Sequence, residues 1–442
     1  MKYENKFIRS SLIIINSITT FCKEHPEYKE EHLFSFIQLI TNKLKYNSFN
    51  NKVNLKNAYL EENICDDIKK YRDALINDLK IVKSDKIYIP GKKSFSYWIN
   101  DDFLKGEIVK HRINYSKKEI KKAKYNKTLI NGKNKYYLMA PYKFLQKLYI
   151  EERIPMQYIN DYEEKFIYNK KYTKDNNESK FKKTQNRIIY ANSLDRFENK
   201  DLLVNFFGTN KTNGRLDHPL TNMKSEFLKS LIGEFFEADL PNSQFTFSSV
   251  LLKDILSNDI DNLPKKALKS FGKVNLKKIK KFNYKDIELF FNDAINGVLY
   301  DNFLIKINSL GKKQYTRLEV KDIFFSVGFS SNNENINNFK TIKQKLMFKR
   351  IYPEVYEIFC LLKKNGNEVL PIYLQIMESD FFLHKVLKNL VDNNIHDLFT
   401  KHDSVICTIK DKDKTLEIIK KTFKDNYGFI PNLHQKYFGI KQ

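Results

Sequence analysis

Glycine and proline are scarce in this 442-residue chain, at 13 and 10. So little turn and linker chemistry excludes a collagen-like or long low-complexity tract and implies a chain of mostly regular elements. Cysteine is scarce too. Cys22, Cys65, Cys360 and Cys407 show no CxxC spacing, which argues against a zinc knuckle and for reduced thiols in a cytosol. No run nears the roughly 20 apolar residues of a membrane span. The apolar stretch Leu12–Ile15 behind a charged start is too short for a signal peptide. The expectation is a soluble, cytoplasmic protein with no membrane partner. Acid is also in deficit: 53 Asp and Glu face 78 Lys and Arg, for a formal charge of +25. An AT-rich source would enrich lysine but would not by itself explain the excess over acid, which favours a polyanionic partner.

What is present is enough apolar residue, 41%, to build a core in one multi-lobed unit or in two to three ordinary domains. Aromatics reach 14% and are interleaved with lysine. Rings beside cations suit single-stranded or primed nucleic acid, although most of the rings must be core. No internal repeat is visible. Helical spacing runs over residues 5–46, and helices also fit 56–83. Strand-like stretches follow at Lys86–Pro90 and Tyr97–Asn100. Residues 115–127 form a lysine-rich polar segment, and Lys170–Lys183 a second one that reads as a boundary or exposed basic loop. Beyond it, helices are expected at Ile188–Phe197, Ser248–Leu256, Ile287–Leu299, Thr316–Phe329, Thr341–Lys363 and Leu374–Val391. A short strand is expected at Phe235–Leu240 and a hairpin at Leu398–Ile409. Strands interrupted by helices give an α+β class.

Four local signals carry chemistry. Asn213-Gly-Arg-Leu-Asp-His-Pro-Leu-Thr-Asn222 is turn-rich, with a glycine that lets backbone come close to a ligand and an arginine offering a forked donor. Phe235-Phe-Glu-Ala-Asp-Leu-Pro-Asn-Ser-Gln244 is an apolar strand delivering Asp239 at its end, and hard cations want such carboxylate oxygens. Arg317, Lys321, Phe325 and Phe329 recur every fourth residue. On a helix each step drifts by roughly 40°, so two cations and two rings share one face over roughly 18 Å. Leu398-Phe-Thr-Lys-His-Asp-Ser-Val-Ile-Cys-Thr-Ile409 places His402-Asp403 between two short β-rich runs. Taken singly, these read equally as an ordinary turn, a strand end, an amphipathic helix and a hairpin.

Their order along the chain resembles the palm and fingers of family A, Pol I-like DNA polymerases, over the C-terminal half only. The resemblance implies an α+β right-hand polymerase with an antiparallel-sheet palm, helical fingers and thumb, and a mostly helical N-terminal region. The divisions it suggests are an accessory region at 1–175, thumb-like helices at 176–212, palm at 213–300, fingers at 301–365, and a second palm segment at 366–442. It implies that Asp239 and Asp403 are the catalytic residues and bind two Mg²⁺ ions, with Mn²⁺ an alternative. It implies nucleotide contacts from Arg317, Lys321, Phe325, Phe329 and Thr246. Arg215, Asn222, Gln244, Gln375 and His402 would contact nucleic acid, Gln375 from a helix opening at Leu374. The implied activity is template-directed addition of nucleotides to a primer 3′ end. The implied partners are a primed DNA template or other nucleic acid and nucleoside triphosphates, and the motifs name no protein partner.

Departures from the family pattern keep alternatives open. Two extra residues separate Asp239 from Ser243-Gln244, and Thr246 stands in place of the family's steric-gate glutamate. Phe329 replaces the usual tyrosine, and His-Asp-Ser at 402–404 is closer to single-subunit RNA polymerases. An RNA- or primer-making enzyme, a template-independent nucleotidyltransferase and a non-catalytic nucleic-acid-binding protein therefore stand beside the DNA polymerase, which could serve a mobile element. No 3′–5′ exonuclease is expected in residues 1–212, where Glu61-Glu62, Asp66-Asp67 and Glu163-Glu164 lack a strand-borne Asp-x-Glu.

Overall fold

The computed structural model describes residues 5–44, 52–87, 94–131, 136–161, 176–257, 260–279, 281–282, 285–311, 313–333 and 337–440. The class is α+β, with helices packed around antiparallel sheets and a connected apolar core running from Ile8 to Leu433.

The first strand, Asn5–Ser11, corrects the helical reading of residues 5–46. It pairs antiparallel with Ile108–Asn114, Asn5 opposite Asn114 and Ser11 opposite Ile108. Its pattern misleads because Phe7 is exposed while Lys6, Arg9 and Ser10 are buried. The Arg9 side chain, with no exposed surface, pairs with Asp195 at 2.7 Å, Glu152 at 2.5 Å and Glu198 at 2.7 Å. That network ties the strand to the Asn176–Glu198 helix. Helix proper begins at Leu12, where the Ser11 hydroxyl accepts from the Ile14 amide and so satisfies one of the helix's free donors. Residues 56–83 are helical only to Asp78 and end in the strand Val82–Ser84, which with Val53–Asn54 flanks Ser96–Ile99 in a three-stranded sheet. Lys86 and Ile87 lie outside any strand, and 88–90 fall outside the described residues. The polar segment at 115–127 is part of the helix Lys117–Asn131. In the second polar stretch, residues 170–175 fall outside the described residues, and the remainder belongs to the Asn176–Glu198 helix.

The central sheet has four strands in the order His434–Phe438, Phe235–Asp239, Ser404–Thr408, Leu398–Lys401, all antiparallel. Phe235, Phe236, Ala238, Val405, Ile406 and Cys407 are buried, so the two middle strands read as nearly continuous apolar runs. Leu398–Lys401 and Ser404–Thr408 form the expected hairpin. Three helices frame the sheet's Asp239 end: Ser243–Ser257, Arg317–Phe329 and Val369–Ser379, the last continuing through a π-helical stretch, Asp380–Val386, into Leu387–Asp392. The run 341–363 divides into Phe339–Ile351 and Pro353–Leu362. Pro353 lacks the N–H needed to continue the first helix and suits the first turn of the second.

Candidate active site

Strand register makes the site. Ser404 lies opposite Asp239, and the Leu240 amide donates to the Asp403 carbonyl at 3.1 Å. Two aspartates from distant stretches of chain are thereby set at the same end of adjoining strands. Asp403 occupies the hairpin tip beside His402, whose φ of +57° is unusual for a residue with a side chain. Such a conformation costs on the order of 1–3 kcal/mol and persists where surrounding structure enforces it. Behind the tip, His218 Nε2 donates to the Thr400 carbonyl at 2.7 Å and its ring meets Phe399 edge-on, bracing the hairpin strand.

The two residues inserted after Asp239 form a turn. Asn242 takes φ +55°, which asparagine tolerates better than most residues. Its carbonyl accepts from the amides of Phe245 and Thr246 at 2.7 and 2.9 Å. The helix then starts at Ser243, and Ser243 and Gln244 are turned toward a carboxylate that sequence reasoning did not assign. Glu378, only 1% exposed, accepts from Ser243 Oγ and Gln244 Nε2, both at 2.6 Å, and pairs with Arg215 at 2.5 Å. A signal existed in the sequence: Glu378 is the lone carboxylate in the otherwise apolar first turns of Leu-Pro-Ile-Tyr-Leu-Gln-Ile-Met-Glu378. Buried carboxylates are retained only when paired.

Electrostatics distinguish the carboxylates. Burial pushes the Asp403 carboxyl well above its ordinary range, and the charges of Glu378 and Asp239 push it further. Among the described residues no cation lies within ion-pair distance of Asp403. Asp239 is bound by Lys436, 2.8 Å away on the edge strand, and the same ammonium lies 3.4 Å from Glu237. Glu237 also accepts from Ser404 Oγ at 2.9 Å. Burial, with Arg215 and Lys401 nearby, lowers the His402 pKa to about 4, so its imidazole is neutral at pH 7. Buried polar atoms without a protein partner gather around the same spot: Arg215 Nε, Gln244 Oε1 and His402 Nδ1.

The Arg317–Phe329 helix presents the predicted face outward. Val320, Ile323, Phe324 and Val327 form its buried side, while Phe325 is 46% exposed and stacks on Phe329 with centroids 5.4 Å apart. Thr316 and Glu319 close a capping box at its start. At its end, Lys363 Nζ donates to the carbonyls of Val327 and Ser330 at 2.5 and 2.9 Å, satisfying acceptors that a helix terminus leaves open. Phe324 packs edge-on against Phe245 and Tyr300, both 5.0 Å away. Tyr300 links this helix to the carboxylates: Arg317 and Lys321 lie over its ring at 5.6 and 5.8 Å. Burial, outweighing Arg317, raises its hydroxyl pKa, and Asp403 adds to the rise.

The remaining expected residues fall out as follows. Gln375 accepts from Asn213 Nδ2 at 3.0 Å, and Ser379 Oγ donates to the Asn213 carbonyl at 2.8 Å. The turn at Gly214 sits against this helix: with φ +73°, any added Cβ would lie 2.8 Å from Ser379 Oγ. Arg215 is committed to Glu378 and is 18% exposed. Thr246 is a correction. Its side chain is fully buried between the carbonyls of Pro241 and Ala294 and presents no surface to a nucleotide. The Asn222 side chain lies outside the described residues.

Asp239 and Asp403 suit divalent metal in donor chemistry, both offering hard carboxylate oxygens, and among the described residues no ion pair occupies Asp403. Among the described residues no group of three or more His, Cys, Asp or Glu side chains gathers as a metal site. The protein's share would be two carboxylates, with the other ligands drawn from substrate and water. No helix among the described residues is long and apolar enough to cross a membrane.

No family model matches the chain, and no curated protein matches it. Among solved structures it is similar to the POL domain of Pol1 from M. smegmatis in complex with DNA primer-template and dNTP. The identity is 10% and the TM-score 0.28, over 72% of this chain and 66% of that one, just under two thirds of its length. At that identity and score the likeness carries no weight on fold or activity.

Proposed function

We propose that this protein is a template-directed DNA polymerase of the family A type, extending a primer 3′ end by phosphoryl transfer. The observation that carries the reading is the register of Ser404 against Asp239, which sets a strand-end and a hairpin-tip aspartate together beside an outward helix bearing Arg317, Lys321 and Phe325. In this reading the central sheet is the palm, the Arg317–Phe329 helix belongs to the fingers, and the thumb and accessory lobe come from the N-terminal half.

Asp239 and Asp403 would hold two Mg²⁺ ions, which when bound supply Lewis acidity for the primer hydroxyl and charge neutralisation for the triphosphate. Each side chain around them has its own task. Lys321 steadies triphosphate charge, and Arg317 joins it after leaving Asp301, 2.8 Å away. These are charge-assisted contacts. Phe325, exposed and backed by Phe329, offers a stacking surface for the incoming base. Neutral His402 faces the primer end. Glu378 orients Arg215 and Gln244 along the primer–template path, and Gln375 and Asn213 continue that polar edge.

Primer extension on a primed template, with dNTPs or NTPs, with Mg²⁺ or EDTA, tests the reading. Extension with dNTPs that needs Mg²⁺ and disappears in Asp239→Asn and Asp403→Asn is expected. Full activity in either variant would refute the assignment. NTP-only extension would favour the RNA-making alternative, which Phe329 and Ser404 keep open; Thr246 is buried. Template binding without extension would favour the non-catalytic alternative.

A further inference from the structure

Lys436 stands apart from the other groups around the two aspartates. It comes from the edge strand His434–Phe438, and in the ladder it lies directly opposite Glu237 while His434 lies opposite Asp239. An ordinary cross-strand pair would join Lys436 to Glu237 alone. Instead the ammonium reaches diagonally, 2.8 Å from Asp239 and 3.4 Å from Glu237. The side chain keeps 53% of its surface exposed, against 12% for Glu237 and 23% for Asp239. It is thus a half-solvated cation with two carboxylate acceptors within reach. Glu237 is held in place by Ser404 Oγ, so the second acceptor is fixed.

We infer that Lys436 is a built-in counter-ion for the Asp239 carboxylate, which a divalent cation displaces onto Glu237. The inference rests on the proposed role of Asp239 as a metal ligand. A carboxylate oxygen cannot serve a lysine and a metal ion in the same direction, so the ammonium competes with metal for Asp239. Glu237 lowers the cost of that displacement, because the released cation keeps a partner. Asp403, which has no ion pair, lacks such a competitor. The two aspartates therefore differ: among the described residues Asp239 has an ammonium competitor and Asp403 has none.

The experiment measures divalent-ion affinity directly, with the full chain and no nucleic acid, by Mn²⁺ electron paramagnetic resonance and by Mg²⁺ calorimetry. Lys436→Met removes the competitor, and Mn²⁺ is expected to bind about twofold to fivefold tighter, the range of a solvent-exposed ion pair. Lys436→Arg should bind close to wild type. Glu237→Gln should weaken binding, and should lose that effect when combined with Lys436→Met. Lys436 is exposed at a sheet edge, and a thermal melt verifies that each variant is folded. Unchanged or weaker Mn²⁺ binding in Lys436→Met, with binding still lost in Asp239→Asn, would overturn the inference and leave the proposed function standing. Mn²⁺ binding that ignores Asp239→Asn and Asp403→Asn alike would overturn both, and no Mn²⁺ binding in wild type or Lys436→Met would overturn the inference.

Discussion

Two charged clusters in this molecule use the same residue types to opposite ends. Around Arg9, three carboxylates are each in direct contact with a cation: Asp195 with Arg9 at 2.7 Å, Glu152 with Arg9 at 2.5 Å and Lys110 at 2.9 Å, Glu198 with Arg9 at 2.7 Å and Lys110 at 2.9 Å. At the end of the central sheet, Glu378 pairs with Arg215 and accepts two hydrogen bonds, but among the described residues no cation lies within ion-pair distance of Asp403, and Asp239 shares Lys436 with Glu237. A saturated cluster holds elements in place. A cluster with a partly buried, unpaired carboxylate gives up stability to keep an acceptor free of partners. That difference separates a fastening from a candidate site, since strongly shifted ionisation is a common companion of function.

The comparison can be broken by substitutions that should act on one property and spare the other. The largest effect is expected at the sheet end. Asp403→Asn should lower dNTP extension by about 100-fold or more, on the scale of losing a principal electrostatic element of a site. Its stability to urea should stay the same or rise, because a repelled carboxylate is neutralised. A matching fall in stability would assign Asp403 to the scaffold instead. At the other cluster, Arg9→Ala leaves buried carboxylates unpaired and should cost about 3–5 kcal/mol in a urea melt. At a temperature where the variant is folded, its Mn²⁺ affinity should be unchanged. Glu378→Gln lies between the two types. It should cost about 1.5–3 kcal/mol through its charged hydrogen bonds and also weaken primer–template binding, because Arg215 loses its orientation. Fluorescence anisotropy with a labelled primer–template measures the second effect.

The smallest expected effect is on pH dependence. His218 is buried, and burial is the main cause of its fall to about 4. The unfolded chain takes up this proton near pH 6.5 and the folded chain only near pH 4. The stability linked to it is therefore complete above pH 6.5 and is lost as pH falls toward 4. His218→Gln removes that term. The loss of stability between pH 7.5 and 6 should shrink by on the order of 1 kcal/mol, and an unchanged slope in pH-dependent melts would show that His218 titrates normally.

Several elements could be read directly because their patterns are local. The apolar run ending at Asp239, the hairpin around His402-Asp403 and the four-residue spacing from Arg317 to Phe329 each announce an element in a few residues. The first strand could not be read in this way. Lys6 and Arg9 point inward only because Glu119, Asp195, Glu152 and Glu198 meet them there, and no periodicity encodes partners so distant. Thr246 was misread for a related reason. Matching Ser243-Gln244 to a family pattern fixed its count along the chain, but only the fold shows it buried between the carbonyls of Pro241 and Ala294.

Glu378 and Lys436 mark the same boundary inside the site. One reads as a stray charge on an apolar helix, the other as a common surface lysine. Each becomes significant only when packing sets it against Arg215 or Asp239. The amino-acid sequence by itself determined the strong basic balance, the α+β character, the short apolar strand that ends in Asp239 and the hairpin around Asp403, since these follow from composition and near-neighbour spacing. Only the tertiary structure decided which carboxylates are neutralised and which is left unpaired. Charge pairing depends on distances of a few ångströms between segments far apart in the chain, and those distances exist only once the sheet has chosen its register.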